Sequence, residues 1–232
     1  MKFLRVLCSD VRYQFKYGFY FLYAVMVAVY FAILLLIPTP AKPFAAALII
    51  WSDPAGLGFA FIGGIVLLER GEGLHSYLSV TPVTPAEYVL AKALSLSLVS
   101  TLAGLAIAAL GLDGGVDYPL MATALVLGSS VFTLFGLAVG TMARSLNHYL
   151  VLSILAGFVL MGPALFTLFG ASNPLLEALP STLLLRSLQG AVGLDMPYST
   201  AVPGVGLVLW LLASLRLATG RFAHYLQETG GH

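Results

Sequence analysis

The sequence predicts an all-α integral membrane protein with six transmembrane helices, and three observations predict it. Of the 232 residues, 59% are apolar and only 9% are charged, with a mean hydropathy of +0.97. A soluble domain carries about 25% charge, so this chain has too little polar surface to coat a globule in water, and lipid must solvate most of its outside. Six apolar stretches reach or approach the length needed for a crossing, which is about 20 residues for a hydrocarbon core of ~30 Å. The cations are also unevenly shared among the connecting segments, as multi-pass proteins require.

The six spans are expected at 19–37, 49–70, 87–110, 119–142, 149–170 and 201–219. Breakers part them: Pro38-Thr39-Pro40 after the first, Gly111 to Tyr118 after the third, and Ala171-Ser172-Asn173-Pro174 after the fifth. The first apolar run is too long for the core of a cleaved leader, and no small-x-small cleavage site precedes the polar turn. With the N-terminus inside, the cytoplasmic segments hold Lys2, Arg5, Arg12, Lys16, Arg70, Lys92, Arg144, Arg216 and Arg221, and the outer ones only Lys42 and Arg186. Nine against two is a positive-inside bias. It predicts a multi-pass protein of the inner (cytoplasmic) membrane with both termini in the cytoplasm.

Residues 1–17 are a different kind of element. Lys2, Arg5, Ser9, Arg12 and Lys16 recur at helical spacing on one face, with Phe3, Leu4, Leu7, Val11 and Phe15 on the other. A basic amphipathic helix of this kind lies in the headgroup plane, its cations meeting anionic lipid. A polar leader that merely obeys the charge rule is the plainer alternative.

Asp53 is the awkward residue of the second span. Asp at an N-cap followed by Pro54 at the first helical position is a good helix start. Yet Pro54 to Leu68 gives only about 22 Å of helix. Starting near Ile49 restores the length and sinks Asp53 a turn below the surface, where it would face a wet central cavity instead of capping the helix outside. Otherwise the span cores hold no Asp, Glu, Lys, Arg or His. Ion-driven carriers generally use such groups for coupling, so another protein is expected to supply any energy for transport.

Between the second and third spans, Leu74, Tyr77 and Leu78 form a short apolar stripe that Pro82 and Pro85 stop. Thr84-Pro85-Ala86-Glu87 then reads as a capping box opening the next helix. The stripe suits either a lever on which a docked partner pushes or an ordinary interfacial loop helix.

Several chemistries lack their parts. No G-x-x-x-x-G-K-[ST] phosphate loop is present, nor H-E-x-x-H, nor G-x-S-x-G. No catalytic residue is therefore assigned. His75, His148, His224 and His232 lack metal-ligand spacing, so no metal site is expected. A net charge of +1 without a basic stripe argues against nucleic acid as a partner. The single cysteine, Cys8, excludes an internal disulfide and reads as a small hydrophobe. Gly136-x-x-x-Gly140 suits close helix approach, within the chain or across a dimer seam.

The run Asp53-Pro54-Ala55, Gly63 to Leu68, Glu69-Arg70, Gly73, Val80-Thr81-Pro82, Glu87-Tyr88 and Lys92 resembles permease subunits of type-2 ABC exporters. More narrowly it is similar to the fluoroquinolone-export branch, and Leu179-Pro180-Ser181 before a Leu-rich helix fits as well. The resemblance implies that Met1–Lys16 is an elbow helix and that 71–86 is a cytoplasmic coupling segment. It implies that Glu69, Arg70, Glu72, Gly73, Leu74, Tyr77 and Leu78 dock on an ATP-binding subunit, with Thr81 and Pro82 ending the element. It makes 174–190, which contains Glu177 and Arg186, an outer re-entrant helical segment, where a surface loop is the plainer alternative.

The same likeness implies an exporter of hydrophobic or amphipathic substrates: drugs, lipids or natural products. Its partners would be two copies of an ABC-type ATPase and a second permease, identical or homologous. ATP and Mg would bind on the ATPase, and no cofactor on this chain. A secondary transporter working without an ATPase is the alternative, with Asp53 as its one candidate coupling group. An intramembrane enzyme would need more polar groups within the bilayer than the spans supply.

Overall fold

The computed structural model describes residues 2–53, 58–74, 81–171 and 173–229, and among these residues there is no strand. In chain order the helices are α1 (Lys2–Lys16), α2 (Phe19–Leu36), α3 (Lys42–Ser52), α4 (Phe59–Gly71), α5 (Pro85–Gly111), α6 (Tyr118–Met142), α7 (Leu146–Leu168), α8 (Pro174–Glu177), α9 (Pro180–Ala191) and α10 (Ala201–Thr229). Among the described residues, five are long and apolar enough to cross a membrane: α2, α5, α6, α7 and α10. The chain is an all-helical, multi-pass membrane protein.

In the stretch expected as the span 49–70, the described α-helices are α3, which ends at Ser52, and α4, which starts at Phe59. Asp53 and Gly58 both adopt the wider π turn, and residues 54–57 lie outside the described residues. Asp53 follows the last turn of α3 with φ −69° and ψ −62°. That right-handed backbone differs from the extended one of an N-cap, so Asp53 does not open a helix in the way its sequence suggests.

Other helix starts follow their local chemistry. Thr84 and Glu87 form the reciprocal box that opens α5: Thr84 Oγ1 accepts from the Glu87 amide at 3.2 Å, and Glu87 Oε2 accepts from the Thr84 amide at 2.8 Å. Asp117 caps α6 by accepting from the Leu120 amide at 3.0 Å, and Ser145 caps α7 by accepting from the His148 amide at 3.2 Å. Each cap satisfies one of the four amides that a helix start leaves without a partner.

Helix α6 is the hub, packing against α4, α5, α9 and α10. Its most apolar stretch is 67% buried, whereas that of α2 is 11% buried. Such a helix as α2, apolar all round and bare within the chain, needs lipid or another subunit around it. Close approach of α4 to α6 depends on Gly136 and Gly140. A Cβ on Gly136 would lie 2.5 Å from the Phe59 carbonyl oxygen, and one on Gly140 would lie 3.4 Å from the Gly63 Cα. The glycine pair is thus used inside the chain. Gly63 also leaves a notch for the ring of Tyr149 on α7, whose hydroxyl donates to the Phe59 carbonyl at 2.6 Å.

Besides a small cluster of Tyr23, Val99 and Ala103, the described interior holds two large apolar clusters. One gathers Ile50, Trp51, Phe132, Leu184 and Leu188 around α3, α6 and α9. The other gathers Ile65, Tyr88, Leu96, Leu137 and Phe222 at the opposite end, where Tyr88 and Phe222 stack with centroids 4.3 Å apart. The second end also carries most of the cations and is called the basic end below. Segment 174–190 folds as α8 and α9, with α9 buried against α3, α6, α7 and α10. Trp51 Nε1 donates to the Ser181 carbonyl at 3.0 Å, and Trp210 Nε1 to that of Ala178 at 2.8 Å, pinning the segment from two sides.

Candidate functional site

The most connected polar site lies at the basic end, where α1, the end of α4 and the start of α5 meet. At its centre is Lys92, two turns into α5 and 2% exposed. Its Nζ donates to a carboxylate oxygen of Asp10 on α1 and, at 2.5 Å, to Glu69 Oε1 on α4. Both acids are buried too. The hydroxyls of Ser95 and Tyr88 donate to Asp10 and Glu69 respectively. Gln14, one turn beyond Asp10, donates to Asp10 Oδ2 at 2.9 Å and to Ser95 Oγ at 2.7 Å. The rings of Tyr13 and Tyr88 flank the ammonium at 5.6 and 5.4 Å, close enough for cation–π attraction.

Two carboxyls share one ammonium in this node. Burial pushes the Asp10 carboxyl above the usual carboxylate range, with Lys92 opposing the shift. Burial, reinforced by Glu69 and Glu72, holds the neighbouring Tyr13 phenol well above its ordinary value. Burying charge costs several kcal/mol per ion unless each is paired and hydrogen-bonded. Here the pairing draws together elements far apart in sequence, Asp10 lying 82 residues from Lys92 and Glu69 lying 23.

The sequence-predicted residues fall around this node in distinct roles. Glu69, which the resemblance implies in docking, is buried within the chain and pairs with Lys92. Exposed Arg70 donates to the Ala143 carbonyl at 3.1 Å and lies over the Tyr225 ring at 5.6 Å. Glu72 is exposed and accepts from the Tyr17 hydroxyl at the α1–α2 turn. Gly73 has φ +72°, a left-handed conformation that glycine adopts without cost, and it turns the chain away after α4. Half-buried Leu74 and Thr81 line a cavity of about 350 Å³ together with Arg5, Ser9, Asp10 and Lys92. Pro82 is exposed. Tyr77 and Leu78 lie outside the described residues, as does the side chain of Lys2.

Helix α1 shows three faces where the sequence reading expected two. Arg5, Arg12 and Lys16 are exposed, as their spacing suggests. Leu4 and Phe15 of the apolar stripe are also exposed, at 61% and 74%. It is Asp10 and Gln14 that turn into the bundle. Their i, i+4 spacing was the available signal, and only a buried cation elsewhere in the chain gives it meaning.

Asp53 stands apart, deep in the helices and 2% exposed. It accepts from Ser100 Oγ at 2.6 Å, and no ion pair joins it to a cation among the described residues. At the other end of the bundle, Arg186 grips Glu177 with two nitrogens, at 2.7 and 3.2 Å. Tyr198 donates to the same carboxylate at 2.8 Å. The Arg186 hydrogen bonds hold the Glu177 carboxyl below its ordinary range. Burial, with the bond to Glu177, pushes the Tyr198 phenol up to about 12.

Comparison with known proteins places this geometry in context. No protein-family model matches the chain. Two curated proteins named fluoroquinolones export permease protein, from Mycobacterium tuberculosis strains CDC 1551 and H37Rv, are each 24% identical over 207 residues. The alignment covers 88% of this chain and 87% of each relative. The chain resembles an export permease over nearly its whole length. The five described helices that are long and apolar enough to cross a membrane agree with that likeness.

Proposed function

We propose that the chain is the membrane-spanning subunit of an ATP-driven exporter of the type-2 ABC class. Two ATPase subunits dock beneath its basic end, which faces the cytoplasm, and ATP and Mg²⁺ bind on those subunits. A second permease, identical or homologous, completes the pathway, and α3 and α4 act together as its sixth crossing. The cargo is hydrophobic or amphipathic: a drug, a lipid or a natural product. The observation that carries this reading is the Lys92 node, which ties the beginning and end of segment 71–86 to the elbow helix α1.

A push on that segment is then carried into three helices at once. Glu69 and Glu72 hold its start, through Lys92 and Tyr17, while Thr84 and Glu87 lock its end onto α5. Rigid-body motion of packed helices turns such a local displacement into a change of the whole bundle. In this arrangement Glu69 and Arg70 are positioning residues for the lever, and Glu72, Gly73, Leu74, Tyr77, Leu78, Thr81 and Pro82 form the lever itself.

The test is purification of the chain co-expressed with its ATPase, with ATP hydrolysis and efflux measured together. Leu74→Asp and Leu78→Asp are expected to leave the permease folded and to abolish stimulation of efflux by ATP. Full efflux in both variants, or an active preparation without any ATPase, overturns the reading. Buried Asp53 favours one rival, a carrier driven by an ion gradient. Asp53→Asn keeps most transport if ATP drives the cycle and eliminates it if a proton does.

A further inference from the structure

The basic end carries a second polar feature that the transport reading does not use. A cavity of about 510 Å³ opens where the ends of α4 and α6 meet the last third of α10, and Arg70, Arg144 and Arg221 line it together with His224. All four are exposed, and no carboxylate of the described residues lines the space. Among the described residues, Arg144 and Arg221 form no ion pair there. Three guanidiniums gathered with no acid among the described lining residues repel one another unless an anion joins them.

An apolar groove of about 610 Å³ adjoins this cavity and shares Arg70 and Arg144 with it. Gly64, Leu67, Leu68 and Leu146 line the groove, with Leu68 and Leu146 exposed at 44% and 54%. Ser145, the N-cap of α7, lies along its edge, and first-turn amides of a helix favour an anion. The depth is right as well. Helix α10 has 29 residues, or about 43 Å of helix, against a hydrocarbon core of ~30 Å. Its end therefore reaches the headgroup level, where Arg221 and His224 sit.

We propose that the cavity and groove together bind one anionic phospholipid of the leaflet at the basic end. Arg144 and Arg221 clasp the phosphate, because guanidinium matches phosphate oxygens in pairs. An acyl chain lies along Leu67, Leu68 and Leu146. Arg70 supports the site from Ala143 and Tyr225. The occupant pins α4, α6, α7 and α10 at their common edge, beside the lever of the proposed transport cycle and independently of whether ATP drives it. Charge complementarity selects phosphate, and the contiguous groove selects a lipid over free phosphate.

The experiment is native mass spectrometry of the delipidated full chain, titrated with dioleoyl phosphatidylglycerol, dioleoyl phosphatidylcholine, dihexanoyl phosphatidylglycerol or inorganic phosphate. Long-chain phosphatidylglycerol is expected to bind at least tenfold more tightly than phosphatidylcholine and than its own short-chain form. Arg144→Gln/Arg221→Gln abolishes the headgroup preference, and Arg144→Lys/Arg221→Lys restores part of it. Leu146→Gln lowers the chain-length preference, and Arg216→Gln, on α10 outside the cavity, changes neither. Equal binding of the two long-chain lipids overturns the proposal, as does an unchanged preference in the glutamine variant. Competition by inorganic phosphate at lipid-like concentration identifies a free-anion site instead. Loss of ATPase co-purification in the glutamine variant, with lipid binding intact, identifies a protein-docking surface and also overturns it.

Discussion

The ammonium of Lys92 lies 2.5 Å from Glu69 Oε1, joining the start of α5 to the end of α4 inside the protein. Asp10 approaches the same ammonium from α1. Because all three groups are buried, their pairing has consequences for stability that a surface bridge lacks.

Lys92→Met leaves two carboxyls without their cation. We expect a loss of about 3–5 kcal/mol, the usual result of removing one partner from a buried pair. Thermal unfolding in mild detergent measures it. The triple variant Asp10→Asn/Glu69→Gln/Lys92→Met should recover most of that loss, since a node neutral throughout has no charge to desolvate.

Packing at the α4–α7 contact is tested by Gly63→Ala. The added methyl meets the Tyr149 ring, and overpacking of this kind costs about 1–3 kcal/mol. Tyr149→Ala alone removes the hydroxyl bond to Phe59 and opens a cavity. The two substitutions together should therefore cost less than their sum in a double-mutant cycle.

The Glu177–Arg186 pair predicts a pH dependence. Its folded-state carboxyl sits below the ordinary value of 4.5 because of the Arg186 hydrogen bonds. The stability it contributes is present above 4.5 and disappears as pH falls through the lower folded value. Glu177→Gln should remove this component from unfolding curves between neutral and acid pH. The pair is part-exposed, so the effect is about 1 kcal/mol or less.

Orientation can be read from the native thiol. Cys8 is exposed on α1, and it is the single cysteine of the chain. A membrane-impermeant maleimide should label inverted vesicles and spare right-side-out ones. The opposite pattern would place the basic end outside.

Long apolar runs made α2, α5, α6, α7 and α10 legible in the sequence, because in lipid a backbone must satisfy its own hydrogen bonds and the helix is the simplest way to do so. Thr84 and Glu87 were legible for a local reason, since a capping box is complete within four residues. Asp53 was read from a local rule as well, but its surroundings are set by Ser100, 47 residues away. The buried node was hidden for a similar reason. Asp10 belongs to neither face that the spacing of α1 picks out, and Lys92 reads as one of the cytoplasmic cations before the third span. Their pairing depends on how α1 and α5 pack, which periodicity along either helix does not encode.

The long separation between Asp10 and Lys92 bears on how the protein is made. The ribosome completes α1, α2, α3 and α4 before Lys92 emerges, so Asp10 waits through those insertion steps without its cation. Until then the carboxyl is best served by water or by a proton, and α1 rests at the bilayer surface without being fixed. Only when α5 enters can the first helix lock down, which makes seating of this N-terminal segment a late event in biogenesis despite its early synthesis.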